Sequence, residues 1–352
     1  MNTDFIGLLR EIQEDKGIEQ EVLLEALEQA LVSAYKKSFG ANNNVRVVID
    51  RETGEMHVYA NKEVVEYVED EATQISLSQA REISESYTIG DTALQESMPA
   101  TFGRIAAQTA RQVVVQRLRE AERSKVFQQF ADKQGDIITG VVKRIERKNI
   151  IVSIDGVEAV LPYGEQVHSE VYNAGDYIKV YLAEVNKASK GSQLCISRAH
   201  FGLVKRLFEL EIPEIASGVV EIKAVAREAG FRSKIAVLSH DENVDPIGAC
   251  VGSRGTRVQN IINELRGEKI DIVKYDEDIR KYAAAALSPA QITDISADED
   301  EKICSITVPE NQVSLAIGKE GQSVRLAAKL VGWKLDIKTD SQTEDYSDAP
   351  QE

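Results

Sequence analysis

Apolar positions in residues 1–40 recur at helical spacing. Phe5, Leu8, Leu9 and Ile12 form one stripe, and Val22, Leu24, Leu27 and Leu31 resume it after Gly17. Gly40-Ala-Asn-Asn-Asn44 breaks the pattern, and alternation follows. Val45 to Asp50 and Glu55 to Ala60 flank Arg51-Glu-Thr-Gly54, which predicts a hairpin turning at the glycine. Lys62 to Val68 is expected to add a third strand, and Ser76 to Ser86 a short helix. Between Gly103 and Gly135 there is neither Gly nor Pro. Ile105, Ala106, Thr109, Val113, Val114, Leu118 and Ala121 predict one long helix there. Arg104, Arg111, Arg117, Arg119, Arg123 and Lys125 decorate it, as a solvated face or as one turned to a partner.

The pattern changes over residues 135–200. Asp136 to Ile145, Asn149 to Ile154, Val157 to Leu161, Asp176 to Val185 and Ser192 to Ser197 read as five short strands, with Asp155-Gly156 as a turn. Five such strands in one stretch fit a small OB-type barrel. Such barrels hold single strands partly by stacking bases on aromatic rings. The two middle strands carry no aromatic. Tyr163, His168, Tyr172, Tyr177 and Tyr181 are the rings on hand, each open to a packing or a stacking role.

Residues 201–338 contain an internal repeat. Val251-Gly-Ser-Arg-Gly-Thr256 leads into a helical pattern to Leu265 and then Lys269-Ile-Asp-Ile-Val273. Ile317-Gly-Lys-Glu-Gly-Gln322 leads into a second helical pattern to Leu330 and then Lys334-Leu-Asp-Ile337. A strand precedes each, Lys234 to Leu238 and Lys302 to Val308. One GxxG is uninformative, but the same strand–GxxG–helix–strand series twice in register is not chance. Glycine lets a sugar-phosphate backbone approach closely, and a helix start favours anions. The alternative for either copy alone is a tight helix–helix corner. The candidate RNA-binding residues are Gly252, Ser253, Arg254, Gly255 and Arg257 in the first copy. In the second they are Gly318, Lys319, Glu320, Gly321 and Arg325. Arg198 joins them, with Arg104 and Arg111 on the long helix as weaker candidates. Glu320 would repel a phosphate, so the first copy is expected to contribute more. Arg254 and Arg257 oppose the helix dipole, which a phosphate partner would rationalise.

Thr139-Gly-Val-Val142, Asp155-Gly-Val157 and Leu161-Pro162 resemble an S1 RNA-binding domain, and the repeated GxxG units resemble K-homology (KH) domains. That domain order resembles the NusA family of bacterial transcription factors. Phe102 to Val113, Arg206 to Ile215, Val225 to Gly230, Asp245 to Gly252, Leu326 to Leu330 and Gly332-Trp-Lys334 carry the resemblance further. It implies a multidomain α+β chain: an N-terminal α/β domain with a long helix, a five-stranded OB-type barrel and two tandem type II KH domains (α-β-β-α-α-β). The expected divisions are 1–130, 131–200, 201–278, 279–340 and a disordered acidic tail 341–352. Gly135, Gly191 and Ser288-Pro289 are candidate joints. The resemblance implies an elongation factor that binds core RNA polymerase at the β flap by the exit channel, together with nascent single-stranded RNA. It would modulate pausing, intrinsic termination and antitermination, with other Nus factors and ribosomal protein S10 as further partners and a monomer as the working state.

Composition narrows the classes. Charged residues make up 28% and mean hydropathy is -0.27. No apolar run approaches the ~18 residues of a membrane span. The amino terminus has no secretory pattern, so a cytoplasmic location is expected. Three cysteines and four scattered histidines predict neither a disulfide framework nor a metal site, and no cofactor is expected. The net charge of -16 looks hostile to RNA, but it is uneven. Residues 1–130 carry -8 and 339–352 carry -5, while 131–200 are neutral and 201–338 carry only -3. No GxxxxGK[ST], strand-linked GxGxxG or nucleophile elbow occurs, so a non-enzymatic binder is expected, with no catalytic residue. The alternatives are the RNA-binding module of a ribonuclease or phosphorylase, and a ribosome-associated protein.

Overall fold

The computed structural model describes residues 3–39, 45–70, 73–96, 101–187 and 193–339. The expected breaker at 40–44, the acidic tail 341–352 and the joint at Gly191 lie outside the described residues. The chain forms two compact units, Met1–Gln128 and Gln129–Glu352.

The first unit opens with helices α1 (Thr3–Lys16) and α2 (Gln20–Phe39), followed by strands β1 (Val45–Ile49) and β2 (Met56–Val65). Then come β3 (Gln74–Ser76), α3 (Leu77–Ile83), β4 (Thr92–Glu96) and α4 (Phe102–Phe130). The helical stripes and the alternating strands meet in one core of Leu9, Leu24, Leu27, Leu31, Val47, Ile49 and Val58, closed by Phe102, Ala106 and Ala110 from α4. Ser76 caps α3 by accepting from the Gln79 amide. The expected separate third strand does not form. β2 runs unbroken to Val65 and pairs with β1, parallel β3 and antiparallel β4. β4 escaped the sequence reading because only Ala93 on it is buried, which leaves no alternation to see.

The second unit begins with a closed barrel of β5 (Ile137–Glu146), β6 (Asn149–Ile154), β7 (Val157–Leu161), β8 (Tyr177–Val185) and β9 (Leu194–Ser197), in the order β5-β6-β7-β9-β8. Asp155 and Gly156 both have positive φ, 47° and 86°, as a two-residue hairpin turn requires. Gly135 is no joint: its N–H donates to the Leu182 carbonyl, 2.8 Å away in the barrel.

Helices α5 (Phe201–Glu211) and α6 (Pro213–Ala216) lead into β10 (Val220–Glu228), β11 (Arg232–Ser239), α7 (Pro246–Val251), α8 (Thr256–Glu264) and β12 (Lys269–Lys274). β10 and β11 are antiparallel, and β12 lies parallel to β11. The series repeats as α9 (Ile279–Leu287), β13 (Asp294–Asp298), β14 (Ile303–Val308), α10 (Val313–Ile317), α11 (Gln322–Val331) and β15 (Lys334–Thr339), with the same strand directions. Ser288-Pro289 is not an interdomain joint either, because Leu287 and Ala290 on its two sides are both buried in the core of the second copy.

That core extends into the first copy. Ala226, Ala236 and Val273 on one sheet face pack with Leu326, Ala327 and Leu330 of α11. The opposite sheet face, with Ile235 and Val237, packs with Cys250 of α7, Ile261 of α8 and Phe208 of α5. Two buried arginines tie the barrel on. Arg198 donates to both oxygens of Glu170 at 2.9–3.1 Å, to the Lys179 carbonyl at 2.8 Å and to the Glu264 carbonyl at 2.7 Å. Arg227 joins Glu268 to the carbonyls of Arg198 and His200, each at 2.8–2.9 Å. Barrel and both repeats are therefore one packed body.

Candidate nucleic-acid interface

The two glycine loops begin where α7 and α10 end. Asp245 starts α7 by accepting from the Ile247 and Gly248 amides, with Pro246 at the first helical position. Gly252 ends α7 at φ 73°, ψ 176°, and Gly318 ends α10 at φ 71°, ψ 177°. Side chains essentially never adopt that region. Space forbids one as well: a Cβ on Gly252 would lie 2.7 Å from Arg257 Cγ, and one on Gly318 would lie 2.8 Å from Ser323 Cβ. The second glycines, Gly255 and Gly321, are left-handed at φ 75° and 73°. Between them Arg254 and Glu320 also take positive φ, 54° and 53°. Two stretches of different sequence thus adopt one backbone.

Each first glycine is therefore required by the packing of the next helix, while the second faces open space. Nothing would touch a Cβ on Gly255 within 4 Å, and only the Arg325 guanidinium would meet one on Gly321. The loop amides are partly spent. The Gly252 N–H donates to the Gly248 carbonyl, Gly255 to Gly252, and Thr256 to Ser253. Ser253, Arg254, Lys319 and Glu320 all have exposed side chains.

The arginines just beyond the loops have roles that the sequence did not reveal. Arg257 donates to the Ala249 carbonyl at 2.7 Å, in the last turn of α7, and to Glu214 Oε2 at 2.8 Å. It offsets the orphaned carbonyls of the preceding helix, so the strain expected of a cation at a helix start is answered inside the protein. Arg325 donates to the Glu320 carbonyl at 2.5 Å and lies 3.2 Å from Glu228 Oε1.

Arg198 is the clear correction. Its side chain is 2% exposed and its donors are committed to Glu170 and to main-chain carbonyls. An RNA phosphate cannot reach it without opening the barrel joint. Arg104 and Arg111 are exposed, two helical turns apart on one face of α4. Arg111 borders an apolar groove of about 420 Å³ lined by Phe5, Leu8, Ala107, Ala110, Val114 and Val115.

The five barrel rings divide in two. Tyr181 stacks on His200 at 4.7 Å, and burial pushes the Tyr172 phenol up to about 12; both are packing groups. Tyr163 stacks on His168 at 4.4 Å, is half exposed, and has the Lys148 ammonium 5.0 Å above its ring. Tyr177 is exposed on β8. Stacked rings beside a cation suit an unpaired base and its phosphate. Lys148 was missed because it lies in the turn before β6, fifteen residues from Tyr163. Among the described residues no cluster of metal-ligating side chains occurs. No helix among them is long and apolar enough to cross a membrane.

Comparison with known proteins gives four family matches in sequence order. Residues 4–124 match the NusA N-terminal domain and 131–197 the S1 RNA binding domain. Residues 198–275 match the NusA-like first KH domain and 279–345 the NusA-like second KH domain. A transcription termination/antitermination protein NusA of Halalkalibacterium halodurans is 52% identical, over 98% of this chain and 90% of the relative. That of Bacillus subtilis is 50% identical, over 100% of this chain and 95% of the relative. The solution structure of the N-terminal domain of NusA from B. subtilis is 48% identical, covers 35% of this chain and 99% of that one, and gives a TM-score of 0.31.

Proposed function

This chain belongs to the NusA family, and from that membership we propose that it acts in transcription termination and antitermination by holding nascent RNA beside RNA polymerase. The family assignment carries the role in transcription. The S1 and KH matches carry the RNA. The observation that carries the mechanism is the duplicated loop: two identical backbones, each presenting exposed variable side chains, in one packed body with a ring-and-lysine surface on the barrel.

In this reading single-stranded RNA lies along Ser253, Arg254 and Lys319, with a base on Tyr163. The first unit docks on the polymerase β flap by the exit channel, using the α4 face of Arg104 and Arg111 and the apolar groove beside it. Each contact is weak alone. Joined in one chain, they raise the local concentration of RNA at the exit channel, which is how a binder without catalytic groups alters pausing. The protein works as a monomer in the cytoplasm, catalyses nothing itself, and meets other Nus factors and ribosomal protein S10 in antitermination complexes.

The test is a loop variant, Ser253→Asp with Arg254→Asp. Aspartate tolerates positive φ better than most residues, so the loop keeps its shape. Fluorescence anisotropy with a labelled single-stranded RNA should show affinity falling about tenfold or more, while retention on immobilised core polymerase is unchanged. Equal loss of both activities would indicate unfolding, and unaltered RNA affinity would sink the reading.

A further inference from the structure

Glu228 is the last residue of β10, in the first KH unit, yet its carboxylate is spent on the second. Its Oε2 accepts from Gln322 Nε2 at 2.8 Å, and its Oε1 lies 3.2 Å from Arg325 Nη2 and 3.4 Å from Arg325 Nε. Gln322 and Arg325 occupy the first turn of α11, directly behind the second loop. The cross-strand neighbour of Glu228 is Arg232, which would be the ordinary partner. Arg232 is turned away to Asp271, at 2.7 and 2.9 Å. Glu228 is thereby left to face α11.

The first loop offers the contrast. Arg257 is also held by an acid, Glu214, but its stem lies against Gly252 and it bonds the Ala249 carbonyl. Freed of Glu214, it would stay where it is. The Arg325 side chain is 53% exposed and leaves Nε and Nη2 on Glu228 alone, while only Nη1 reaches the Glu320 carbonyl. Burial would raise the Glu228 carboxyl, but hydrogen bonds from Gln322 and Arg325 and the Arg325 charge outweigh it and hold it below the usual range. The acid is therefore charged at neutral pH.

We propose that Glu228 is a built-in competitor for phosphate: it holds the Arg325 guanidinium out of contact with RNA, so that the second KH loop grips more weakly than its backbone permits. The proposal rests on the RNA-binding reading above. It makes the strength of the second grip a property of the first domain, set across their interface by one carboxylate.

The experiment is a double-mutant cycle on the full chain, read by anisotropy with a fluorescein-labelled oligouridylate. Glu228→Gln should raise affinity about five- to tenfold, the worth of one charge-assisted contact. It should also steepen the dependence on log[salt] by about 0.7, one phosphate. Adding Arg325→Ala should abolish the gain of Glu228→Gln, leaving the double variant with the affinity of Arg325→Ala alone. A gain that survives Arg325→Ala would mean that only a repelling charge had been removed, and would overturn the proposal. Gln322→Ala cuts the other contact of Glu228 without freeing Arg325, so it should give no gain. An equal gain there would assign the effect to a loosened interface and overturn it too. If the unsubstituted chain does not bind the probe at all, the RNA-binding reading has failed, and the proposal falls with it.

Discussion

Gly252 and Gly318 end their helices within about two degrees of each other in φ and ψ, and Arg254 and Glu320 share one left-handed conformation. The surroundings of the two loops do not match. The first presents Ser253 and Arg254, with Arg257 locked behind them by its own domain. The second presents Lys319 and Glu320, with Arg325 held by an acid from the neighbouring domain. The glycines set the shape of each grip, and the charges around them set its strength. The part that packing enforces is common to both loops, and the electrostatics are not.

The largest expected effect attacks what the loops share. The first KH sheet lies between the loop helices of its own domain and α11 of the next, and on the α11 side Asp271 pairs with the fully buried Lys234 at 3.0 Å. Asp271→Asn leaves that ammonium without a counter-charge and should cost about 3–5 kcal/mol, read from the urea midpoint. RNA binding by both loops should fall together. The pH dependence has a definite sign. Burial would raise the Asp271 carboxyl, but hydrogen bonds and charge from Arg232 and Lys234 hold it below the usual range. The stability it contributes is therefore present above the unfolded value of about 3.9 and lost only as pH falls through the lower folded value. The Asn variant should lack that acid loss.

The next effect tests whether the two backbones are equivalent. Gly252→Ala and Gly318→Ala each place a Cβ under 3.0 Å from the following helix at positive φ. Each should destabilise by about 2–4 kcal/mol, and by similar amounts. Costs differing severalfold would break the comparison. Smaller again is the exchange of charge. Arg254→Glu should weaken oligouridylate binding about tenfold, whereas Glu320→Arg should strengthen it. A result with both variants unchanged would mean that the loop side chains do not face RNA. The smallest effects belong to Gly255→Ala and Gly321→Ala, whose new Cβ meets nothing within 4 Å or only the Arg325 guanidinium at 3.4 Å. Left-handed strain alone should cost about 1 kcal/mol, visible as a small shift in the urea midpoint.

Local pattern made most of the architecture legible. Glycine-bounded periodicity marked α4, alternation with Asp155-Gly156 marked the barrel, and the repeat marked both loops. The side-chain networks were not legible, because their partners lie far apart in sequence. Arg198 meets Glu170 and Glu264 across 28 and 66 residues, and Arg325 meets Glu228 across 97. An arginine in a strand-terminal Ser-Arg reads as surface until the fold brings a carboxylate beneath it. The short strands β3 and β4 were invisible for another reason: they complete a sheet edge with one buried side chain apiece, Ile75 and Ala93. Lys62 to Val68 looked like a new strand only because nothing local distinguishes a continuing strand from a following one.

The most direct measurement asks where RNA touches the chain. Single-stranded RNA carrying 4-thiouridine, cross-linked to the full protein and mapped by mass spectrometry, should yield adducts at Gly252 to Arg257 and at Gly318 to Arg325, heavier at the first. Adducts confined to the barrel or the N-terminal unit, with neither glycine loop labelled, would contradict the account.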